Sequence, residues 1–267
     1  MITSAAKTGT AERVLAERRG RVLELTLNRP AAGNAFDAEL YGELADLLAE
    51  AGADSGVSCV VLSGGDRFSA GADLHDLAAA SESRRNVARA AYERFLGRLE
   101  QFPKPLLAAV AGPAVGIGFT LLGHVDIVIV ADNARFRAPF AALGLVPEAG
   151  SSATLPAILG PQRAAHLFYS GEWLSAEQAV EAGLALCSVP VERLGAAVAA
   201  LADRIAAAPL SSLAATKRLL AASRAIDARA ARRREDEAFT AALAEPGVVP
   251  GLRTIAEQIG GRASEGR

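Results

Sequence analysis

Apolar and polar positions alternate from Arg21 to Leu27 (RVLELTL), which predicts a half-buried strand stopped by Asn28-Arg29-Pro30. Asp37 is then placed to cap a helix, AELYGELADLLAEAGA, whose Leu40, Leu44, Leu47 and Leu48 share one face. Val57 to Leu62 (VSCVVL) is a continuous apolar run with the length of a fully buried strand. A glycine-rich turn, SGGDRFSAGADLHDL, follows it and feeds a helix. Arg84 to Gln101 predicts an amphipathic helix with a charged, solvated face. Next come a strand, Leu106 to Val110, a turn holding Gly112, Gly116 and Gly118, a helical stretch, and a strand, Ile127 to Ala131. Strands alternating with helices predict an α/β fold with crossover connections.

Beyond about residue 205 the pattern changes. Leu210–Ala225, Ala228–Ala244 and Val248–Ile259 are alanine-rich helix formers, punctuated by Pro209 and Pro246-Gly247. The division is therefore a core over 1–205 and a helical region over 206–267, a lid or an assembly surface. Leu213, Leu219, Leu220, Ile226, Phe239, Leu243, Leu252, Ile255 and Ile259 are more apolar than a solvated appendage needs, so this tail is expected to pack on a neighbouring subunit and help close the site. Lys217 and Arg218 read either as a solvated helix face or as ligands for phosphate. The run Arg229 to Glu237 reads as a charged helix face, or as a contact with a neighbouring subunit or an anionic ligand.

Composition narrows the classes. With 51% hydrophobic and 22% charged residues, the 267-residue chain describes an ordinary globular protein. A net charge of -2 gives no general attraction to nucleic acid. His75, His124 and His166 show no metal-ligand spacing, so no metal is expected. Cys59 and Cys187 read as buried, reduced thiols. No apolar run reaches membrane-spanning length, MITSAAKTGTAERV does not read as a signal peptide, and the final EGR is not a peroxisomal tripeptide. A cytoplasmic location is expected.

The chemistry concentrates between Pro105 and Pro156. Glycines behind a buried strand let ligand atoms approach bare N–H groups at a helix start. A dinucleotide fingerprint would need its third glycine at Leu121, and Gly123 comes too late. Glu148 is an isolated acid between Pro147 and Ala149 in an apolar loop. Such an acid has a raised pKa suited to proton transfer, although a glutamate after proline also reads as a solvated first-turn helix residue. His124 reads as a satisfied structural histidine or a catalytic one, and Asp126 as a cap or anchor for its strand. No G-x-S-x-G elbow supports a serine hydrolase.

Six segments carry a resemblance: NRPAAGNAF (Asn28 to Phe36), FSAGADL (Phe68 to Leu74), PLLAAVAGPAVGIG (Pro105 to Gly118), the Asp126 strand, GLVPEAGSS (Gly144 to Ser152) and SGEWLSAEQAVEAGL (Ser170 to Leu184). In this order the chain resembles the crotonase, or enoyl-CoA hydratase/isomerase, superfamily over nearly its whole length. The resemblance implies a spiral of ββα units with a C-terminal helical region that builds trimers or dimers of trimers. It implies acyl-CoA thioester substrates, with coenzyme A as part of the substrate and no separate cofactor. By motif position, the backbone N–H groups of Ala70 and Ile117 are the expected oxyanion donors. Ser69, Ala70, Gly71, Ala72, Asp73 and Gly116 are the expected substrate-binding residues, and Asp73 reads equally as a helix cap.

Two departures refine the expectation. Hydratases of this superfamily carry two catalytic glutamates, and this chain has Thr120 and Phe140 at those positions. Glu148 in PEAGSS resembles the delta(3),delta(2)-enoyl-CoA isomerase branch. Moving a double bond needs one base reaching two carbons, with Phe140 and neighbouring apolar side chains excluding water. The expectation is an acyl-CoA double-bond isomerase with Glu148 as proton shuttle. The alternatives are hydration, with Glu148 alone orienting water, and a catalytically silent acyl-CoA-binding subunit.

Overall fold

The computed structural model describes residues 12–79 and 81–265. The termini, on which the expectations about a leader and the final EGR fall, lie outside the described residues, as does the Ile226 side chain. The chain opens with a hairpin of β1 (Val14–Arg19) and β2 (Val22–Leu27), turned at Gly20, which sits at φ +60. α1 (Ala38–Ala53) follows, and the Asp37 carboxylate accepts the Leu40 N–H at 2.8 Å as its cap. Then come β3 (Cys59–Ser63), the short α2 (Leu74–Leu77), α3 (Glu82–Glu100) and β4 (Leu106–Val110). β5 (Pro113–Val115), α4 (Ile117–Thr120), a 3-10 turn at Leu121–His124, β6 (Ile127–Ala131) and β7 (Arg135–Arg137) complete the middle. The rest is α5 (Ser151–Leu159), α6 (Pro161–Ser170), β8 (Leu174–Ser175), α7 (Ala176–Glu181), β9 (Cys187–Val189), α8 (Leu194–Ala206), α9 (Leu210–Ala244) and α10 (Val248–Glu265).

The main sheet runs β1-β2-β3-β4-β6-β9 and is parallel beyond the first hairpin; β5, β7 and β8 form a second small sheet. Successive strand residues point to opposite faces, and both faces are covered. Cys59, Val61, Leu107, Ala109 and Ile129 pack beneath α8, on Leu194, Val198 and Ala202. Val60, Leu62, Leu106, Ala108 and Val110 face the larger core, which contains Phe36, Tyr41, Phe95 and Phe119. This double burial is why β3 and β4 read as unbroken apolar runs.

The tail departs from expectation in one respect. No glycine or proline lies between Leu210 and Ala244, so nothing interrupts the backbone hydrogen bonds, and the two helices expected there form one of 35 residues. The tail also packs on its own chain: α9 lies against α5, and α10 against α2 and α9. Ala228, Ala231 and Leu252 are buried by these contacts.

Candidate active site

The two glycine-rich turns meet backbone to backbone. Ser69 N–H donates to the Pro113 carbonyl at 3.0 Å, and Val115 N–H to the Ser69 carbonyl at 2.9 Å. A Cβ on Gly71 (φ +102) would sit 3.1 Å from the Val115 oxygen, and one on Gly116 (φ +52) 3.7 Å from Gly71 Cα. Glycine is required at both by backbone conformation, and at Gly71 also by close approach.

Most N–H groups of these turns are already engaged within the protein. Ser69 is engaged by Pro113, Ala70 by the Gly33 carbonyl at 2.8 Å, Gly71 by Ser69 Oγ at 3.1 Å, and Asp73 by the Phe36 carbonyl at 2.9 Å. Ala72 alone in this run keeps an N–H without a protein acceptor among the described residues. Across from it, Phe119 and Thr120 N–H both donate to the Gly116 carbonyl, while Ile117, the first residue of α4, has no intrahelical acceptor. The N–H of Ala70, expected as an oxyanion donor, is thus engaged by the Gly33 carbonyl, and the N–H left open on this run is that of Ala72. Ile117 stays available.

Ala70, Gly71, Ala72, Asp73 and Gly116 line a cavity of about 1280 Å³. Ser69 does not. It is fully buried, and its hydroxyl donates to the Asn34 carbonyl at 2.8 Å while accepting from Gly71, so its part is to fasten the turn. Asp73 caps α2 through the His75 N–H at 3.0 Å and pairs with Arg29 at 3.0 Å, so the capping reading applies to a residue that also faces the cavity.

Glu148 lines the same cavity. Its pKa is pushed up to about 8, chiefly by burial, with the negative charges of Glu235 and Asp236 adding to the effect. Tyr41 and Tyr92 stand near, their hydroxyls held well above the usual range by burial and by the Glu148 charge. Phe140, Leu143, Leu145 and Phe239 supply apolar wall. Thr120 Oγ1 is buried without a hydrogen-bond partner, and Phe140 is 4% exposed, so neither former hydratase position holds a carboxylate or an exposed polar group. His124 is a structural residue, its Nε2 lying 2.6 Å from the Ala149 carbonyl. Asp126 anchors β4, accepting the Leu106 N–H at 2.9 Å. Among the described residues, no group of three His, Cys, Asp or Glu could hold a metal ion, and no single helix is long and apolar enough to cross a membrane.

Phe239 and Leu243 wall the cavity, as expected of a tail that helps close the site, whereas Tyr92, Glu235 and Asp236 were not legible as part of it. Tyr92 and Glu235 sit in helices whose charge pattern reads as solvated. Only the lack of a capping side chain at Gly150, before α5, pointed to a partner from elsewhere.

The sequence profile of the family described as Enoyl-CoA hydratase/isomerase matches residues 17–259. The chain belongs to that family. It is 36% identical over 233 residues to the 2,3-dehydroadipyl-CoA hydratase of Escherichia coli (strain K12), covering 85% of this chain and 89% of that protein. It is 38% identical over 174 residues to enoyl-CoA delta isomerase 2 of Rattus norvegicus, covering 64% of this chain and 44% of that relative; the alignment thus spans less than half of the rat protein. A crystal structure of an enoyl-CoA hydratase/isomerase from Pseudoalteromonas atlantica T6c superposes with a TM-score of 0.85 at 35% identity, over 92% of this chain and 98% of that one. The crotonase-type α/β fold with a C-terminal helical region, expected from the six motifs, is thus the fold of this enoyl-CoA hydratase/isomerase family member. Its relatives include both isomerases and hydratases, so the family alone does not choose between them.

Proposed function

We propose that this chain is an acyl-CoA double-bond isomerase, converting a 3-enoyl-CoA to the 2-enoyl-CoA. The observation that carries the reading is a single acid of raised pKa, Glu148, in an apolar cavity wall, with Thr120 and Phe140 where hydratases place their two carboxylates. The thioester oxygen receives the N–H groups of Ala72 and Ile117, donors that need no side-chain reorganisation. Ionised Glu148 takes a proton from carbon 2, and the electron pair delocalises through the adjacent double bond as a dienolate held by those N–H groups. The same carboxyl returns the proton at carbon 4, leaving the double bond between carbons 2 and 3. Phe140, Leu143 and Leu145 keep water from competing for the dienolate.

Hydration is the second reading, favoured by the 36% identity to the 2,3-dehydroadipyl-CoA hydratase across most of both chains. Incubation with a 3-enoyl-CoA and, separately, a 2-enoyl-CoA, followed by absorbance, decides between them. Conjugation of the first without loss of the second supports isomerisation. Fast hydration of the second reverses the order. The reading extends to a homotrimer or dimer of trimers, supported by the exposed Tyr169, Leu219 and Leu220, at 82%, 78% and 60% accessible.

A further inference from the structure

We propose that Glu235 is the positioning residue for Glu148, acting as a distant N-terminal cap that fixes the catalytic turn and sets a negative charge behind it. The inference rests on the assignment of Glu148 as the base. α5 begins at Ser151, separated from Glu148 by Ala149 and Gly150, and its N-cap, Gly150, has no side chain with which to satisfy the first N–H groups of the helix. Glu235, from the C-terminal third of α9, fills that place. Gly150 N–H donates to its Oε2 at 2.6 Å and Ser152 N–H to its Oε1 at 2.7 Å, so both oxygens are engaged by one helix start. Glu235 is 5% exposed, although its neighbours in the run Arg233-Arg234 and at Glu237 face solvent. One residue of a charged stretch has been turned inward.

The turn needs such a hold. Ala149 lies at φ +61 and Gly150 at φ +70, two successive left-handed residues, the first with a Cβ. Four contacts from three elements secure it: the two from Glu235, Ala149 N–H donating to the Tyr92 hydroxyl at 3.0 Å, and the Ala149 carbonyl against His124 Nε2. The fit is close, since a Cβ on Gly150 would lie 2.8 Å from the Ala228 oxygen of α9. Glu148, the preceding residue, takes its direction from this turn.

The charge has a second effect. A carboxylate behind the base opposes its ionisation and strengthens its hold on a proton. The groups around Glu148 are Glu235 and Asp236 on α9, Tyr92 on α3, Tyr41 on α1 and His124 on the 3-10 turn. Asp236 has Arg232, Arg89 and Glu93 about it.

Glu235→Gln keeps the shape but removes the charge and one of the two acceptor oxygens, and Glu235→Ala removes the cap altogether. In Glu235→Ala, amide hydrogen exchange at Gly150 and Ser152 should quicken about tenfold or more, since both lose a charge-assisted partner. In the same variant kcat for a 3-enoyl-CoA should fall about tenfold or more, with CoA binding within about twofold of the wild type. In Glu235→Gln the acid limb of the kcat/KM profile should move to lower pH by roughly half a pH unit or more. Unchanged exchange together with superimposable pH profiles overturns the proposal. The exchange measurement needs no turnover, so it judges the clamp independently of the base. A Glu148→Gln enzyme at full rate rejects the assignment of the base, and with it the positioning role.

Discussion

Lys217, on α9, places its ammonium 2.5 Å from the Asp126 carboxylate, and the same oxygen accepts the Leu106 N–H at 2.9 Å. Both side chains are withdrawn from solvent, at 7% and 14% exposure. Neither reading of Lys217 from sequence, a solvated face or a phosphate ligand, describes this arrangement. The pair ties the tail to the starts of β4 and β6. Lys217→Met takes the ammonium away from a buried carboxylate and is expected to destabilise the fold by about 3–5 kcal/mol in urea denaturation. Adding Asp126→Asn should recover part of that loss, whereas additive losses would show that the pair does not couple.

Glu148→Gln should lower isomerase turnover by about two orders of magnitude or more, the scale of general acid–base catalysis. Binding of CoA, measured by calorimetry, should change little, because the thioester donors are main-chain groups elsewhere. Near-normal turnover would remove Glu148 from the mechanism.

The base must lose its proton to act. With Glu148 pushed up to about 8, kcat/KM should rise with pH and level off above that value. A flat profile between pH 6 and 9 would contradict this.

Stability should respond in the opposite sense. The folded state raises Glu148 from its ordinary 4.5 to about 8, so it binds the proton more tightly than the unfolded chain does. That contribution is fully present below about pH 4.5 and is lost as pH rises through about 8. Glu148→Gln carries no such proton, so its melting temperature should gain on the wild type across this window, by the equivalent of a few kcal/mol. A constant difference between the two proteins would count against a half-buried, proton-holding Glu148.

Gly118→Ala tests the junction of the two turns. The added Cβ would fall 2.7 Å from Ser69 Cβ, and Ser69 is fixed by its own hydrogen bonds. A loss of about 1–3 kcal/mol is expected, with a drop in kcat as the Ile117 N–H is displaced. Gly97→Ala, in α3 with open space around it, should be neutral or stabilising by up to about 1 kcal/mol. Equal melting temperatures for the two variants would refute the contact argument.

Light scattering at micromolar concentration tests assembly. A trimer or hexamer is expected from the exposed Tyr169, Leu219 and Leu220. A clean monomer with full activity would reject it.

Legibility in the sequence followed burial. β3, β4 and β6 have both faces covered and announce themselves as apolar runs, and α1 shows its buried leucines at helical spacing. β1 was not read because only Val14 of its six residues is buried, and β5, β7, β8 and β9, at two or three residues each, are too short to display a period. Glu148 was visible because an acid amid apolar residues is conspicuous. Glu235 was hidden because RRREDE reads as a solvated face, and the N–H groups it satisfies lie more than eighty residues earlier. The engagement of the Ala70 N–H was hidden for a similar reason: its acceptor is the Gly33 carbonyl, and no local pattern reports that partner.

The tail's return onto its own core also bears on mixtures of chains. Phe239, Leu243 and Ile255 wall the cavity that Glu148 and Ala72 line, so the proposed base, a proposed anion donor and the apolar wall come from one polypeptide. If the chains assemble, oligomers reconstituted from wild-type and Glu148→Gln protein should lose activity in direct proportion to the share of the variant. A disabled copy should neither poison its neighbours nor be rescued by them.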